Sequence, residues 1–166
     1  MAGAMFLKIT GPDVKGESTA DKHKEEIEIT SFSQGVAMAT TPASTSGSRT
    51  SERASFHDFT ITKMVDKATP ELAKGVAQGT HYGEIVISVN RADGAGGMVE
   101  YLKYTLNDVI ISSLQVSGAD GGGLASEAAT LSFGKIKWEY TATDPAKGGA
   151  QGTVPFTFDV SANKVV

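Results

Sequence analysis

Three histidines and their acidic neighbours are the residues of this chain whose types could support catalysis or metal binding. His57 and Asp58 are adjacent in a predicted strand, so their side chains point to opposite faces and do not converge on one substrate. His81 and Glu84 could bind a metal ion together with His23, but these residues follow no recognised ligand spacing. A surface or structural role is therefore the expectation for all the histidines.

Two carboxylates and two glycine-rich segments are the other candidates for chemistry. Asp66 and Glu71 lie near the start of a predicted helix, where capping and the helix dipole account for both. The segments 93–97 and 118–123 lack the strand–glycine–helix context of a phosphate-binding loop and are interpreted as turns. The sequence also has no Gly-x-Ser-x-Gly elbow and no Walker-type loop. It therefore predicts no catalytic residue, no metal site and no cofactor.

The composition favours one soluble globular domain. The chain has 166 residues, of which 40% are hydrophobic and 20% charged, as is ordinary for a packed domain. The formal net charge is -4, and 15 basic residues are scattered among 19 acidic ones, which argues against a nucleic-acid partner. No apolar run reaches the length of a membrane span, so we expect no membrane insertion.

The cysteine content and the N-terminal sequence indicate where the protein is expected to assemble and how it could be exported. The chain contains no cysteine, which excludes disulfides and thiol chemistry. Its N-terminal stretch MAGAMFLKIT lacks the basic segment and long apolar segment of a secretory signal peptide. We therefore expect assembly in the cytoplasm and, if the protein leaves the cell, secretion by a route that needs no cleaved signal.

Alternation of apolar and polar residues with a period of two runs through most of the chain. It predicts about eight strands and favours a mainly β fold, a compact β-barrel of two sheets forming a single domain over residues 1–166. In one of these strands Ile27 and Ile29 alternate towards Ser33, with Ser31 expected on the same face.

Three features interrupt the strand pattern. The apolar residues change phase between Phe133 and Ile136, which predicts a β-bulge at Gly134. Pro155 cannot donate a ladder hydrogen bond, which indicates an edge position or a solvent-facing side. Residues at about 34–55 are mostly small and polar, with little to anchor them, and predict a mobile extended loop or arm.

One short helix is predicted between two of the strands. Thr69 can cap its N-terminus, Pro70 suits the first helical position, and Gly79 supplies the left-handed residue past its end. Its narrow apolar stripe, which we expect to pack on the flank of the barrel, consists of Leu72 and Val76 with Ala73 and Ala77 beside them.

Several stretches, taken in order, resemble one family. They are DVKGES at 13–18, ITKMVDKATPELAKGVAQGTHY at 61–82, EYLKYTLNDVIISSLQVSG at 100–118 and EAATLSFGKIKWEY at 127–140. Each stretch alone is moderately specific, whereas the ordered set is strong and covers the chain from Met5 to about Asp159. The set resembles the haemolysin-coregulated protein family, the tube subunits of the bacterial type VI secretion system.

The resemblance implies a structural protein and not an enzyme. Members of this family form six-membered rings of β-barrel subunits, with a helix on the barrel flank, that stack into a hollow tube related to phage tail tubes. A contractile sheath propels the tube, with a spike on its tip, into a neighbouring cell, and the ring lumen can hold effector proteins. By this resemblance Ser33 matches a lumen-facing serine, and Ser31 shares its strand face, so both are candidate effector contacts.

The resemblance also gives the long polar segment a role. We expect residues 40–54 to become ordered only when rings stack, so that their deletion leaves rings intact and abolishes tubes.

The alternative function is that of a stand-alone, lectin-like β-sandwich, which would need aromatic residues on exposed loops. Trp138 and Tyr140 instead lie in phase with core positions. Hydrolysis at His81 and Glu84 lacks a nucleophile and a complete ligand set.

Overall fold

A computed structural model describes residues 4–41, 50–94, 96–147 and 149–166. These residues form eleven strands, one α-helix and a short 3-10 turn, which confirms a mainly β fold with one helix. Several of the strands are shorter than the alternation pattern resolves, so the count exceeds the predicted eight. The elements are β1 (Met5–Thr10), β2 (Ile27–Glu28), β3 (Ser31–Ser33), β4 (Val36–Thr40), β5 (Ser51–Phe56), β6 (Phe59–Met64), α1 (Thr69–Gln78), β7 (His81–Ala92), β8 (Met98–Ser117), β9 (Ser126–Thr143), β10 (Ala150–Asp159) and β11 (Lys164–Val165).

The strands form two sheets, one of nine strands and one made of β4 and β5. The main path of the large sheet runs β11-β10-β9-β8-β7-β1-β2, and β6 pairs with both β3 and β9. Because β8 lies along one edge of β9, the opposite edge is shared: β6 pairs with 126–131 and β10 with 135–143. Among the described residues, no helix is both long and apolar enough to cross a membrane.

The segment 27–33 connects β1, near one end of this path, to β6, which pairs with β9. The Ile29 N–H donates to the Met5 carbonyl on β1 at 3.1 Å, and the Thr30 N–H donates to the Thr62 carbonyl on β6 at 2.7 Å. In the described part of the chain no strand pair closes the predicted barrel, and the gap is spanned by the chain crossing from β1 to β6.

This crossing changes the direction of alternate side chains. Ile27 and Ile29 are buried, whereas Ser31 and Ser33 are exposed and Phe32 packs against the core. The expectation that Ser31 shares a face with the two isoleucines is therefore wrong. The reason is that β2 and β3 pair with different strands, and the backbone turns between them.

The core fills the inside of the curved sheet and is almost entirely apolar. Burial of the inward residues on alternate positions is the main source of stability in a sheet of this kind. Its most deeply buried apolar side chains include Leu7, Ile27, Phe59, Ile61, Leu72, Tyr82, Ile85, Ile87, Leu106, Val109, Leu131 and Ile136.

The phase change predicted at Gly134 is present, but it takes a different form from a bulge in one strand. Phe133 and Ile136 are both buried, as the pattern predicts. The partner strand β8 changes phase opposite Gly134, since Leu106 and Val109 are both buried and Asp108 between them adopts a positive φ of 51°. A Cβ on Gly134 would come within 3.3 Å of the Asp108 side chain. Both strands therefore change phase together, and the pairing register is kept.

Pro155 lies on the exposed part of β10. The pairs between β10 and β11 are Phe158 with Val165 and Asp159 with Lys164, so β10 is itself the sheet edge at Pro155. A residue without an N–H is compatible with that position because no ladder bond is required from it.

The helix ends where the sequence predicts, but it begins differently. Gly79 adopts the left-handed conformation after Gln78, with a φ of 64°. The N-cap is Ala68, which makes no side-chain cap, so the predicted capping role of Thr69 is wrong. Instead the Asp66 carboxylate accepts the Ala68 N–H at 2.9 Å, and the Thr69 hydroxyl accepts the Asp66 N–H at 3.1 Å. Asp66 therefore organises the turn that starts the helix.

The helix packs on the sheet through one face. Leu72 is buried in the core and Val76 packs against it. Ala73 and Ala77 are exposed, so the predicted stripe is too wide on that side. The second buried residue of the helix is instead Gly75, which lies so close to Tyr82 that a Cβ there would overlap the Tyr82 hydroxyl. Burial raises the pKa of the Tyr82 phenol, and the nearby Glu71 carboxylate adds to this rise.

The segment predicted as a loop at 34–55 contains paired strands. β4 and β5 form an antiparallel hairpin, in which Val36 lies opposite Phe56, and we call residues 36–56 the arm. Phe56 stacks on Phe158 with ring centroids 4.4 Å apart. Residues 42–49 of this segment lie outside the described residues, and the mobility predicted for 34–55 stays a prediction. Alternating Ala, Thr and Ser can pair as a strand, but they give no hydrophobic signal that distinguishes it from a loop.

Candidate binding surface

The histidines do not converge on a shared site. The Nδ1 atom of His81 lies 3.1 Å from Asp108 Oδ1 in an exposed pair. His23 stacks on Phe6 with ring centroids 4.3 Å apart, and its Nδ1 atom lies 2.8 Å from Glu26 Oε2. No group of three or more His, Cys, Asp or Glu among the described residues is arranged to hold a metal ion. These contacts fit structural roles on separate parts of the surface.

The two serines expected to contact effectors lie on one exposed face. Ser31 and Ser33 flank Phe32 on β3, and both are exposed while Phe32 points to the core. β3 pairs with β6 so that Ser31 lies opposite Thr62 and Ser33 opposite Thr60. Each predicted serine therefore has a threonine as its cross-strand neighbour, and the four hydroxyl groups share one face of the sheet.

This face continues across two more strands. Thr60 pairs with Thr130 on β9, and Thr130 pairs with Ser113 on β8. In the next row, Thr62 pairs with Ala128, which pairs with Gln115. We call the whole set the hydroxyl face; it comprises Ser31, Ser33, Thr60, Thr62, Ser113, Gln115, Ala128 and Thr130.

The chemistry of the hydroxyl face is that of hydrogen bonding without charge. Each Ser or Thr hydroxyl can donate one hydrogen bond and accept two, so the surface can meet both donors and acceptors of a partner. Short side chains lose less rotamer freedom on contact than long charged ones do. None of the residues on this face is charged, which leaves it without a general acid or base to activate a nucleophile. The arrangement is suited to hydrogen-bonded contact with a partner.

The neutral character ends at the phase change of β9. Beyond Gly134 the outward residues of this strand are Lys135, Lys137 and Glu139, because Ile136 and Trp138 now point inward. Lys137 and Glu139 form an ion pair with Nζ and Oε1 3.0 Å apart. The outer surface of one long strand is thus divided into a hydroxyl-rich half and a charged half.

Sequence reasoning missed most of this face. Ser31 and Ser33 were found through the family resemblance, whereas Thr60, Thr62 and Thr130 were not singled out. The threonines do alternate with buried residues in FTITKM and AATLSF, which is a usable signal. Their shared surface follows only from the pairing of β6 with β3 and β9, which no local pattern specifies.

Comparison with known proteins places this chain in one family. Residues 6–140 match the family described as "Type VI secretion system effector, Hcp". Protein hcp1 of Pseudomonas aeruginosa is 33% identical over 165 residues, which cover 98% of each chain.

Solved structures agree with the sequence comparison. A type six secretion system protein superimposes with a TM-score of 0.90 at 29% identity, covering 99% of this chain and 100% of the other. Hcp1 from Salmonella typhimurium gives a TM-score of 0.78 at 33% identity, with 100% of both chains covered. The cap of an anti-feeding prophage, at 14% identity and a TM-score of 0.55 over 82% of this chain and 88% of that one, shares the fold alone.

The class defined by these matches is that of the secreted tube proteins of type VI secretion, with a fold also found in a phage-tail-like particle. Within that class, the chain belongs to the Hcp family. This confirms the resemblance drawn from the four ordered segments.

Proposed function

We propose that this chain is a structural tube subunit of a type VI secretion system. Six copies form a ring, and rings stack into a hollow tube that a contractile sheath expels together with a spike. Family membership supports this role, as does the absence of charged or activated groups on the hydroxyl face. The role requires no catalysis, metal or cofactor.

The hydroxyl face lines the lumen of the ring and contacts effector proteins. The observation that carries this assignment is that Ser31 and Ser33 lie in an exposed, uncharged surface that extends over four strands. Such a lining stays hydrated and makes many replaceable hydrogen bonds, so cargo can be held during assembly and released after delivery.

The partners follow from this role. They are other copies of the chain, the sheath and spike of the apparatus, and effectors in the lumen. The subunits assemble in the cytoplasm and leave the cell as part of the expelled tube. The cysteine-free sequence suits a protein that passes between compartments of different redox state, since it has no thiol to oxidise.

Stacking is assigned to residues 40–54 of the arm. Thr41 and Thr50 are already joined by a hydrogen bond of 3.1 Å from the Thr41 N–H to the Thr50 carbonyl. Residues 42–49 of this segment lie outside the described residues, and the proposed role is that of the whole segment 40–54.

The experiment that tests the proposal is the solution mass of the purified chain, measured by light scattering after size-exclusion chromatography, with negative-stain images of the same peak. The expected result is a single species near six subunits that forms rings with an open centre. A chain that remains monomeric at high concentration contradicts the ring.

A further inference from the structure

An apolar block lies exposed on the inner face of β8, β9 and β10. It is formed by cross-strand neighbours in two rows, in which Val154 pairs with Tyr140 and Tyr140 with Leu102, and Phe156 pairs with Trp138 and Trp138 with Tyr104. Tyr140 is 50% exposed and Val154 is 69% exposed. Tyr140 lies on the same face of the sheet as the core residues, as the sequence predicts, but nothing in the described part of the chain covers it.

The apolar block continues the core along the same face of the sheet, past the point where other parts of the chain cover it. Leu106, Ile136 and Phe158 occupy the preceding row of the same face and are buried. One row further on, Trp138 makes edge contacts with Tyr104 and Phe156, and its indole N–H is buried with no acceptor among the described residues. A contiguous apolar surface of this kind on a soluble protein marks an interaction site.

A second exposed apolar surface lies on the arm. Val36 is 48% exposed and Met38 is 46% exposed, and every residue of β4 is exposed. A two-stranded hairpin is at best marginally stable by itself in water, so an arm of this kind needs packing from outside. In the described residues its contacts with the body come from β5, where Phe56 stacks on Phe158 and Arg53 Nη2 donates to the Val160 carbonyl at 3.0 Å.

The arm of one chain points away from its own apolar block. Phe56 contacts Phe158, and Arg53, which is further along the arm, contacts Val160. The block lies in the opposite direction along β10, at Phe156 and Val154. The arm of one chain thus leaves the block of the same chain uncovered.

The two surfaces are compatible in charge and composition. Neither β4 nor residues 150–157 of β10 contain a charged residue, although 20% of the chain is charged. Depletion of charge with enrichment of aromatic residues and methionine is the composition of an interface centre.

We propose that β4 of one copy packs on the apolar block of the adjacent copy in the ring. This rests on the proposed function and names the contact within it. A head-to-tail ring requires two different, complementary patches on each subunit, and Val36 and Met38 form one while Tyr140, Val154 and Phe156 form the other. Each subunit then gives its arm to one neighbour and receives the arm of the other.

The absence of native cysteine allows a direct test by cross-linking. The double variant Met38→Cys/Val154→Cys is treated with a short bis-maleimide and run on a denaturing gel. A head-to-tail contact gives a ladder of covalent species up to the size of the ring. Each single variant alone stays at the size of one chain, and an equal mixture of the two gives cross-linked dimers, which shows that the contact joins different copies.

A matched pair controls for exposure and collision. Val116 is 52% exposed but lies near the other end of β8, so Met38→Cys/Val116→Cys should give no ladder. An equally strong ladder from this control pair overturns the proposal. Rings of six subunits that give no ladder from positions 38 and 154 also overturn it, while leaving the tube-subunit function intact. A chain that forms no ring contradicts the proposed function itself, and the contact with it.

A second variant tests the surface without cross-linking. Val154→Asp should remove the ring peak in light scattering while leaving the thermal unfolding midpoint of the subunit close to that of the parent chain, because Val154 is exposed. Val116→Asp should keep the ring. Rings retained by Val154→Asp at the concentration used for the parent would argue against the assigned surface.

Discussion

Lys63 Nζ lies 2.5 Å from Glu127 Oε1, and both side chains are completely buried. The same ammonium group lies 2.8 Å from Asp66 Oδ1 and donates to the Met64 carbonyl at 2.9 Å. Because Asp66 also organises the start of α1, this cluster joins β6, β9 and the helix. Its stability depends on keeping both signs of charge together, since a lone buried ion is strongly destabilising.

Removing Lys63 alone should therefore cost much more than removing it together with Glu127. Lys63→Met is expected to lower the free energy of unfolding by about 3–5 kcal/mol because it leaves the Glu127 carboxylate buried without a cation, whereas Glu127→Leu costs less because Lys63 keeps Asp66, and the double variant costs much less than Lys63→Met. Urea denaturation monitored by circular dichroism measures each value. Lys137→Met, in the exposed pair with Glu139, is the control and should change stability by less than about 1 kcal/mol. Additive effects of Lys63→Met and Glu127→Leu would contradict the pairing.

Gly75 and Tyr82 form a second close relationship that can be tested by rescue. Alanine normally stabilises a helix interior relative to glycine by about 1 kcal/mol, but here its Cβ would overlap the Tyr82 hydroxyl. Gly75→Ala is expected to destabilise the chain by about 1–3 kcal/mol, and Gly75→Ala/Tyr82→Phe should recover most of that loss. The measurement is the unfolding midpoint in denaturant, with Tyr82→Phe alone as reference. No recovery in the double variant would show that the hydroxyl is not the obstacle.

The buried face of α1 predicts a strong effect at Leu72. Leu72→Ala should cost about 2–5 kcal/mol as a large-to-small core substitution, and Leu72→Asp should cost more because it buries a carboxylate without a partner. We expect Leu72→Asp to impair folding or ring assembly, measured by soluble yield and solution mass. Ala73→Asp is exposed on the same helix and should be tolerated. A normal yield of intact rings from Leu72→Asp would contradict the packing role.

The helix shows which parts of this structure are available from local sequence. Pro70, Leu72 and Gly79 act through their own backbone preferences or through helical spacing, so a window of residues predicts the element and its end. The N-cap is not available in the same way: Thr69 is the residue type that favours a cap, but the N-cap position falls on Ala68, and the Thr69 hydroxyl instead accepts the Asp66 N–H in the turn before the helix.

The binding surface shows what local sequence does not contain. The hydroxyl face exists because β6 pairs with both β3 and β9, and these strands are far apart in the chain. The direction of Ser31 depends on the crossing at Thr30, where the backbone leaves β1 and joins β6. Long-range pairing and a single turn therefore decide which residues face outward, and neither has a periodic signature.

Ser33 provides the test of the lumen assignment. Ser33→Phe places a bulky apolar ring among short hydroxyl side chains, so it should weaken the retention of effectors by removing hydrogen bonds and changing the contour of the face. The ring should persist because Ser33 is exposed and makes no core contact. The measurement is the amount of a co-expressed effector that copurifies with the rings, and Ser161→Phe, in an exposed turn, is the control. Unchanged effector levels with Ser33→Phe would refute the assignment.

Shortening the arm separates the role of residues 42–49 from that of β4 and β5. Replacing residues 42–49 with Asn-Gly fits a two-residue hairpin turn between Thr41 and Thr50, which are already paired. This variant keeps Val36 and Met38, so rings should remain while tubes disappear in negative-stain images taken under conditions in which the parent chain forms tubes. Shortening the glycine-rich loop 119–123 by the same approach should leave both rings and tubes. If this variant instead lost its rings, residues 42–49 would belong to the lateral contact, because β4 and β5 alone would then be insufficient to join neighbouring subunits.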